Sequence, residues 1–246
     1  MVYEIDFLRT GEKCLELIGD DHPKLTTTLK SALQQKKHEL PALIWQATLG
    51  GEEFRDFWKF GSRPLPERFD SDGALILALH QLEQETGRWL AGDYRIDAAR
   101  LEHQLHVVRQ GNGGVQLRAW SELSNRLDMA TEILRARRAR RPLCFKGMHT
   151  PTADIFGNVV REVFIERIQA WSARLDARYY EVFPEVRRLE RQLTAGEPAA
   201  YRTWRLDRDA SLHDRRAALA RHVEALRPFL VQCNLMPVAG ARGGPG

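Results

Sequence analysis

The feature that most constrains the fold is a long run of helical periodicity in the second half of the 246-residue chain. Beyond Thr150, apolar side chains recur at steps of three and four, which places them on one face of a helix. They are Phe156, Val160, Phe164, Ile168, Trp171, Leu175 and Tyr179. Thr150 suits the capping position of this helix, and Pro151 suits its first turn. The spacing predicts a long amphipathic helix that packs with its neighbours in an antiparallel bundle.

Other helical patterns flank this segment. Apolar residues at steps of four and three predict a helix before Pro142: Leu123, Leu127, Ala130 and Leu134. Proline lacks a backbone donor and disfavours the helical conformation of the residue before it, so we expect helix ends near Pro142 and Pro184. A last helix is predicted from about Pro198 to Pro228. Residues 121–236 should therefore form a basic region of long helices.

The N-terminal part carries patterns that are typical of β-structure. The segment YEIDFL alternates Tyr3, Ile5 and Phe7 with acidic residues, and CLELI follows after RTGEK, which predicts a hairpin. A second hairpin is predicted at 105–120, where two runs flank Gly111 to Gly114. Two helices precede it, and helix, helix, hairpin is the order of a winged-helix module. The plainer interpretation is a hairpin of the kind that joins strands in many folds.

These patterns predict a mainly α fold with minor β (α+β). We expect an acidic mixed α/β region at 1–120, the basic helical region at 121–236 and a flexible tail at 237–246. A hydrophobic content of 43% and a charged content of 28% are typical of a soluble globular protein. The apolar run ALILAL is too short to cross a membrane, and the N-terminus lacks the basic start of a signal peptide, so a cytoplasmic protein without a membrane partner is predicted.

The three cysteines, Cys14, Cys144 and Cys233, are far apart and form no CxxC pair. Neither a disulfide framework nor a zinc site is indicated, so buried free thiols are predicted. No cofactor, metal or catalytic site is predicted either. His103 and His106 lie beside Glu102, but the hairpin interpretation turns His106 onto a strand, and spacing fixes no third ligand. The glycine run lacks the lysine and Ser/Thr of a phosphate loop.

Positive charge is concentrated in the second half of the chain. Residues 1–110 carry 14 Lys and Arg against 18 Asp and Glu, a net charge of −4. Residues 111–246 carry 23 against 15, a net charge of +8, and Lys146 is the only lysine among them. The guanidinium group of arginine grips phosphate or carboxylate through two hydrogen bonds. The asymmetry predicts an anionic partner for the C-terminal part.

The stretch ILRARRARRPLCFKG, residues 133–147, holds the densest positive charge. Its basic residues are Arg135, Arg137, Arg138, Arg140, Arg141 and Lys146, and no acidic residue occurs from Ile133 to Ala153. The helix dipole explains one or two cations at a helix C-terminus. The five arginines here point in nearly all directions around the helix, so they cannot all lie on one solvent-facing side. Arginines elsewhere have an acid at helical spacing, as Arg188 has Glu185 and Arg221 has Glu224. Unpaired charge at this density predicts an anion or an acidic surface as its partner.

We therefore predict a non-enzymatic nucleic-acid-binding protein, a regulator or accessory factor, with DNA favoured over RNA. The 135–146 cluster would contact phosphates, with Arg109 and Arg118 beside the tip of the second hairpin. Two alternatives stay open. The acidic N-terminal part of the same chain could neutralise the cluster, or the chain could be a helical subunit of a larger assembly. In the second case, a protein partner or a second copy would bind the C-terminal helices.

Overall fold

The computed structural model describes residues 1–18, 21–140, 142–145, 148 and 150–236, and most of these residues are helical. The helices are α1 (Val2–Ile18), α2 (Pro23–Ala47), α3 (Glu52–Phe57), α4 (Gly73–Leu90), α5 (Ala98–Gln110), α6 (Gly113–Arg138), α7 (Pro151–Asn158), α8 (Ala170–Gln192) and α9 (Ala199–Gln232). A π-helix, Val159–Gln169, joins α7 to α8, and a 3-10 helix, Thr194–Gly196, precedes α9. The described residues form no strand, only an isolated antiparallel bridge between Phe145 and Met148.

The predicted helical bundle fits this architecture, but the α+β class and its N-terminal hairpin are wrong. The segment that was expected to form the hairpin is α1. Its buried side chains follow the helical period rather than strand alternation, since Ile5 and Leu8 are fully buried whereas Tyr3 is 78% exposed. Gly11, expected in the turn, lies inside α1, where an added Cβ would come within 2.7 Å of Leu33. Its role is close helix packing rather than chain reversal.

The second hairpin, at 105–120, is also wrong, and with it the winged-helix module. Residues on both sides of the glycine run are helical, because α5 ends at Gln110 and α6 begins at Gly113. A two-residue hairpin turn needs positive φ angles, and among the described glycines only Gly61 and Gly92 have them. The run instead permits close packing against α3: a Cβ on Gly111 or Gly113 would lie within 2.8 Å of the Phe57 ring.

The chain divides into two compact units. Unit 1 comprises Met1–Gln116 and Asp176–Leu206, and unit 2 comprises Leu117–Leu175 with the described part of Asp207–Gly246. Helices α6, α8 and α9 thus contribute residues to both units. The predicted domain division at residue 120 stays a prediction, and the predicted tail, 237–246, lies outside the described residues.

Unit 1 is built around one large apolar core. Helix α1 packs on α2, and α5 packs on both α3 and α4. Fully buried aromatic side chains fill the core, among them Phe54, Phe57, Trp89 and Phe183. Each buries a large apolar area, which is the main favourable term in folding. None of the helices among the described residues is both long and apolar enough to cross a membrane.

Unit 2 contains the helical run that dominates the sequence pattern. The predicted start of this run is confirmed, since Pro151 is the first residue of α7 and the Thr150 hydroxyl accepts a hydrogen bond from the Ala153 amide at 3.2 Å. Val160, Phe164 and Leu175 are buried, as the spacing predicts. The predicted ends at Pro184 and Pro228 are wrong, because α8 and α9 both continue through their prolines.

The prediction of free thiols is wrong for two of the three cysteines. Cys144 and Cys233 form a disulfide in unit 2, with their Cα atoms 5.2 Å apart, whereas Cys14 in α1 is free and half-buried. Three apolar residues are buried with this disulfide and three more pack against them: Leu143, Ala153 and Phe229, then Leu134, Phe156 and Leu235. A separation of 89 residues in the sequence conceals this proximity.

Candidate anion-binding site

The arginine cluster lies at the end of α6, as predicted. Arg135, Arg137 and Arg138 belong to the last turn of the helix, and Arg140 follows it. Arg135, Arg138 and Arg140 are exposed, whereas Arg137 is half-buried. Within the described residues, no carboxylate lies within 4 Å of the guanidinium groups of Arg135, Arg138 or Arg140. The predicted site residues Arg141 and Lys146 lie outside the described residues.

A pocket of about 210 Å³ opens beside this last turn, between α6 and α9 of unit 2. It is lined by Leu134, Arg135, Arg138, Arg221, Glu224, Ala225 and Phe229. The charged side chains come from both helices, and the apolar ones include the buried ring of Phe229. We call this the arginine pocket. It combines cationic groups with an apolar surface, which suits an anion that carries an apolar part.

The three arginines of the pocket differ in how much of their charge is already neutralised. The Arg221 guanidinium contacts both carboxylate oxygens of Asp128, with Nη2 at 3.2 and 3.3 Å. Its Nη1 lies 3.1 Å from a carboxylate oxygen of Asp214. Two carboxylates thus hold Arg221 in place and offset its charge. Arg135 and Arg138 are the cations of the pocket that a ligand would neutralise.

Hydrogen-bond acceptors lie beside these cations. The Glu224 carboxylate lines the pocket and has no ion-pair partner among the described residues. The pocket therefore offers donors for an anionic group and, in the Glu224 carboxylate, an acceptor for a ligand's own N–H groups.

A buried histidine connects the elements of unit 2 next to the pocket. The Nδ1 atom of His222, on α9, lies 3.0 Å from the Thr131 hydroxyl of α6. Its ring centroid is 4.9 Å from that of Phe164 on the π-helix. Burial lowers the pKa of His222 below its ordinary value of 6.5, and a hydrogen bond with the Leu127 backbone and the charge of Asp128 oppose that shift only in part.

This lowered pKa predicts a loss of stability in mild acid. Between pH 6.5 and the lower pKa of the folded chain, the unfolded chain binds a proton at His222 that the folded chain does not bind. The contribution of His222 to the free energy of unfolding is therefore complete above pH 6.5. It is lost as the pH falls through the lower pKa of the folded chain. Denaturation of the wild type should show this loss, and His222→Gln should show a flatter profile in the same window. A wild-type profile that stays flat from pH 7 to pH 5 would contradict the assignment.

The two arginines that were assigned to a wing lie elsewhere. Arg109 belongs to α5 in unit 1, where its Nε lies 2.7 Å from Asp56 and its Nη2 lies 3.4 Å from Glu52. Arg118 belongs to α6 in unit 2, with its Nε 3.6 Å from Glu122. Neither lies on a hairpin, so the structural reason for selecting them no longer holds. Their part in nucleic-acid binding stays a prediction.

Sequence reasoning missed the α9 side of the pocket. Helical spacing suggested an ion pair between Arg221 and Glu224, but Arg221 pairs with Asp128 and Asp214 instead. The pair predicted for Arg188 and Glu185 is confirmed. Only tertiary packing brings α9 to the end of α6. The sequence of α9 itself does not indicate that this helix forms one wall of a pocket. Among the described residues, no group of three His, Cys, Asp or Glu could hold a metal ion.

A family model described as "Protein of unknown function (DUF3080)" matches residues 1–237. No curated protein and no solved structure matches the chain.

Proposed function

Because the chain belongs to the DUF3080 family, whose description names no activity, we propose a function from the site alone: non-enzymatic binding of nucleic acid through the arginine pocket. One observation carries the proposal. Arg135 and Arg138 are exposed at the mouth of a pocket and have no described carboxylate to neutralise them. Such groups pair with phosphate oxygens, which supply most of the affinity of proteins for nucleic acid.

The remaining groups of the pocket favour a nucleotide over a bare phosphate ion. The Glu224 carboxylate repels phosphate, but it accepts a hydrogen bond from the amino group of a base. The apolar surface of Leu134, Ala225 and Phe229 suits the body of a base or sugar better than it suits an inorganic ion. Arg140, exposed just beyond the helix, extends the positive surface along a phosphate backbone. DNA stays the favoured nucleic acid.

The location of the protein bears on this proposal. A cytoplasmic location stays a prediction, and the Cys144–Cys233 disulfide argues against it, because cytosolic thiols are usually kept reduced. Binding should therefore be measured first with the disulfide intact.

Replacing both open arginines tests the proposal. The double variant Arg135→Gln, Arg138→Gln should bind duplex DNA about tenfold more weakly at low salt, a loss of ~1.4 kcal/mol. The plot of log affinity against log salt should become shallower by about 0.9 for each phosphate that the variant no longer neutralises. Fluorescence anisotropy with labelled duplex DNA and single-stranded RNA, at several salt concentrations, measures both quantities.

Arg126→Gln is the control, because Arg126 is an exposed arginine of the same helix away from the pocket, with its Nη2 3.9 Å from a Glu122 carboxylate oxygen. It removes one positive charge where the double variant removes two, so general electrostatic attraction alone predicts at most about half of the double variant's loss in log affinity. If the control weakened binding as much as the double variant does, the arginine pocket would not be the binding site. Equal DNA affinities of the wild type and the double variant would also show that the arginine pocket is not the binding site.

A second candidate function, a helical subunit of an assembly, is favoured by one observation. Ile155, Val159 and Val163 are exposed at steps of four along α7 and the π-helix, so they form an apolar stripe. The flanking charges have both signs, as in the pair of Arg161 with Glu162. A second copy meets the same surface in a two-fold dimer, and mixed charge can complement itself there. This candidate would be supported if the chain bound no DNA and mass photometry showed that it forms a dimer.

A further inference from the structure

The disulfide and the arginine pocket share apolar side chains. Leu134 and Phe229 pack in the cluster around Cys144 and Cys233, and both also line the pocket. Phe229 and Cys233 are one helical turn apart, with the Cys233 amide donating to the Phe229 carbonyl at 3.0 Å. A displacement of either Cys144 or Cys233 would therefore move the apolar surface against which Arg135 and Arg138 are placed.

The segment that carries Cys144 packs with the end of α9 around the disulfide. It follows the end of α6 and lies outside any helix. The Leu143 amide donates to the Gln232 side chain at 3.1 Å, and the Thr150 hydroxyl donates to the Leu143 carbonyl at 3.1 Å. Of these two hydrogen bonds, only the first reaches α9. The disulfide is thus the covalent connection between the end of the arginine cluster and the opposite wall of the pocket.

We propose that the Cys144–Cys233 disulfide holds the arginine pocket in its binding shape, so that the oxidised chain binds its anion more tightly than the reduced chain does. This inference rests on the proposed function of the pocket. The two thiols lose two protons and two electrons as the S–S bond forms, and a disulfide-bearing oxidant takes up both and leaves as two thiols. Oxidation is then a maturation step that completes the binding site.

The burial of both cysteines indicates that this step is made once rather than reversed repeatedly. Cys144 is 3% exposed and Cys233 is fully buried, so a reducing thiol reaches the bond only when the surrounding cluster opens locally. Disulfides form and persist in oxidising compartments such as the bacterial periplasm or the outside of the cell. The chain would therefore reach its full affinity for the anion in the compartment where such an oxidant acts.

The test compares the oxidised full chain with the same chain after reduction and thiol alkylation, using labelled duplex DNA as the probe. Reduction should weaken binding about tenfold, because a pocket that is not preorganised has to be ordered by its ligand. The double variant Cys144→Ser, Cys233→Ser should match the reduced wild type. Cys14→Ser, which alters the free thiol of unit 1, is the control and should bind like the wild type.

Hydrogen exchange provides a readout that needs no ligand. Amides of residues 133–138, 225–227 and 229 should exchange faster in the double serine variant than in the Cys14→Ser control. Equal DNA affinities of the oxidised and reduced chains would overturn the inference while leaving the proposed function intact. If neither form binds DNA, the proposed function fails, and the inference that rests on it fails with it.

Discussion

Reduction of the Cys144–Cys233 disulfide should lower the free energy of unfolding of unit 2 by about 2–5 kcal/mol. The disulfide closes a loop with a sequence separation of 89 residues, and removing the link restores conformational entropy to the unfolded chain. In the chain-entropy model, a loop of this length corresponds to roughly 4–5 kcal/mol. Urea denaturation with and without reductant measures the difference. A Cys14→Ser background leaves no free thiol that could exchange with the disulfide.

The pairing itself can be checked by counting thiols. Alkylation of the denatured, unreduced chain should label one cysteine, Cys14, and alkylation after reduction should label all three. Three labelled cysteines without reduction would mean that the pair is not oxidised in that preparation. An unchanged urea midpoint after reduction, with one thiol labelled beforehand, would show that the bond does not stabilise unit 2.

Replacing Gly114 by alanine should cost about 3 kcal/mol or more, a second large effect, and this one falls on unit 1. A Cβ at this position would lie 2.5 Å from the Lys59 carbonyl carbon and closer still to the Trp58 carbonyl oxygen. These atoms are backbone and cannot swing aside as a side chain can. The first turn of α6 would have to move away from the chain that follows α3, which would open the packing around Phe57. Thermal or urea denaturation measures the loss.

Gly73→Ala is the matched control for this substitution. Like Gly114, Gly73 lies in the first turn of its helix, here α4, but a Cβ there would meet no atom within 4 Å. The exchange should leave stability unchanged or raise it by about 0.4–1 kcal/mol, because alanine has less conformational entropy to lose. If the two variants were equally destabilised, steric exclusion at Gly114 would not be the cause.

The glycine run shows why the sequence predicted a hairpin in a helical protein. Glycine serves both at positive φ and where backbones approach closely, and the letters Gly111 to Gly114 do not distinguish these uses. The atoms that require glycine belong to Phe57, Trp58 and Lys59, which are distant in the sequence. Local turn propensity therefore suggested a chain reversal, whereas the tertiary contact produces a junction between two helices.

Features that depend on one segment were predictable from the sequence. Thr150 and Pro151 mark the start of α7 through local hydrogen bonding and a fixed φ angle. The end of α6 and its arginines follow from apolar spacing and Pro142. The π-helix at Val159–Gln169 was not predictable, because its apolar residues keep steps of four that an α-helix also allows.

The proposed binding site was predictable only on its α6 side. Charge density alone selected Arg135 and Arg138, but their opposing wall comes from α9. Arg221 is paired by Asp128 and Asp214 through contacts that helical spacing does not report. Nothing in the sequence around Phe229 distinguishes it from other apolar residues near the end of a helix. Its position in both the pocket and the disulfide cluster appears only once the two helices are packed.

The position of the disulfide along the chain also sets an order of events during synthesis. Cys144 is made long before Cys233, and at ribosomal rates of about 5–20 residues per second it waits roughly 5–20 s for its partner. Cys14 is already present during that interval. Pairing by order of appearance would join Cys14 to Cys144 and leave Cys233 alone. Where an oxidant meets the chain as it emerges, the native bond therefore requires that Cys14, half-buried in the helix α1 that packs on α2, stays unpaired until Cys233 arrives.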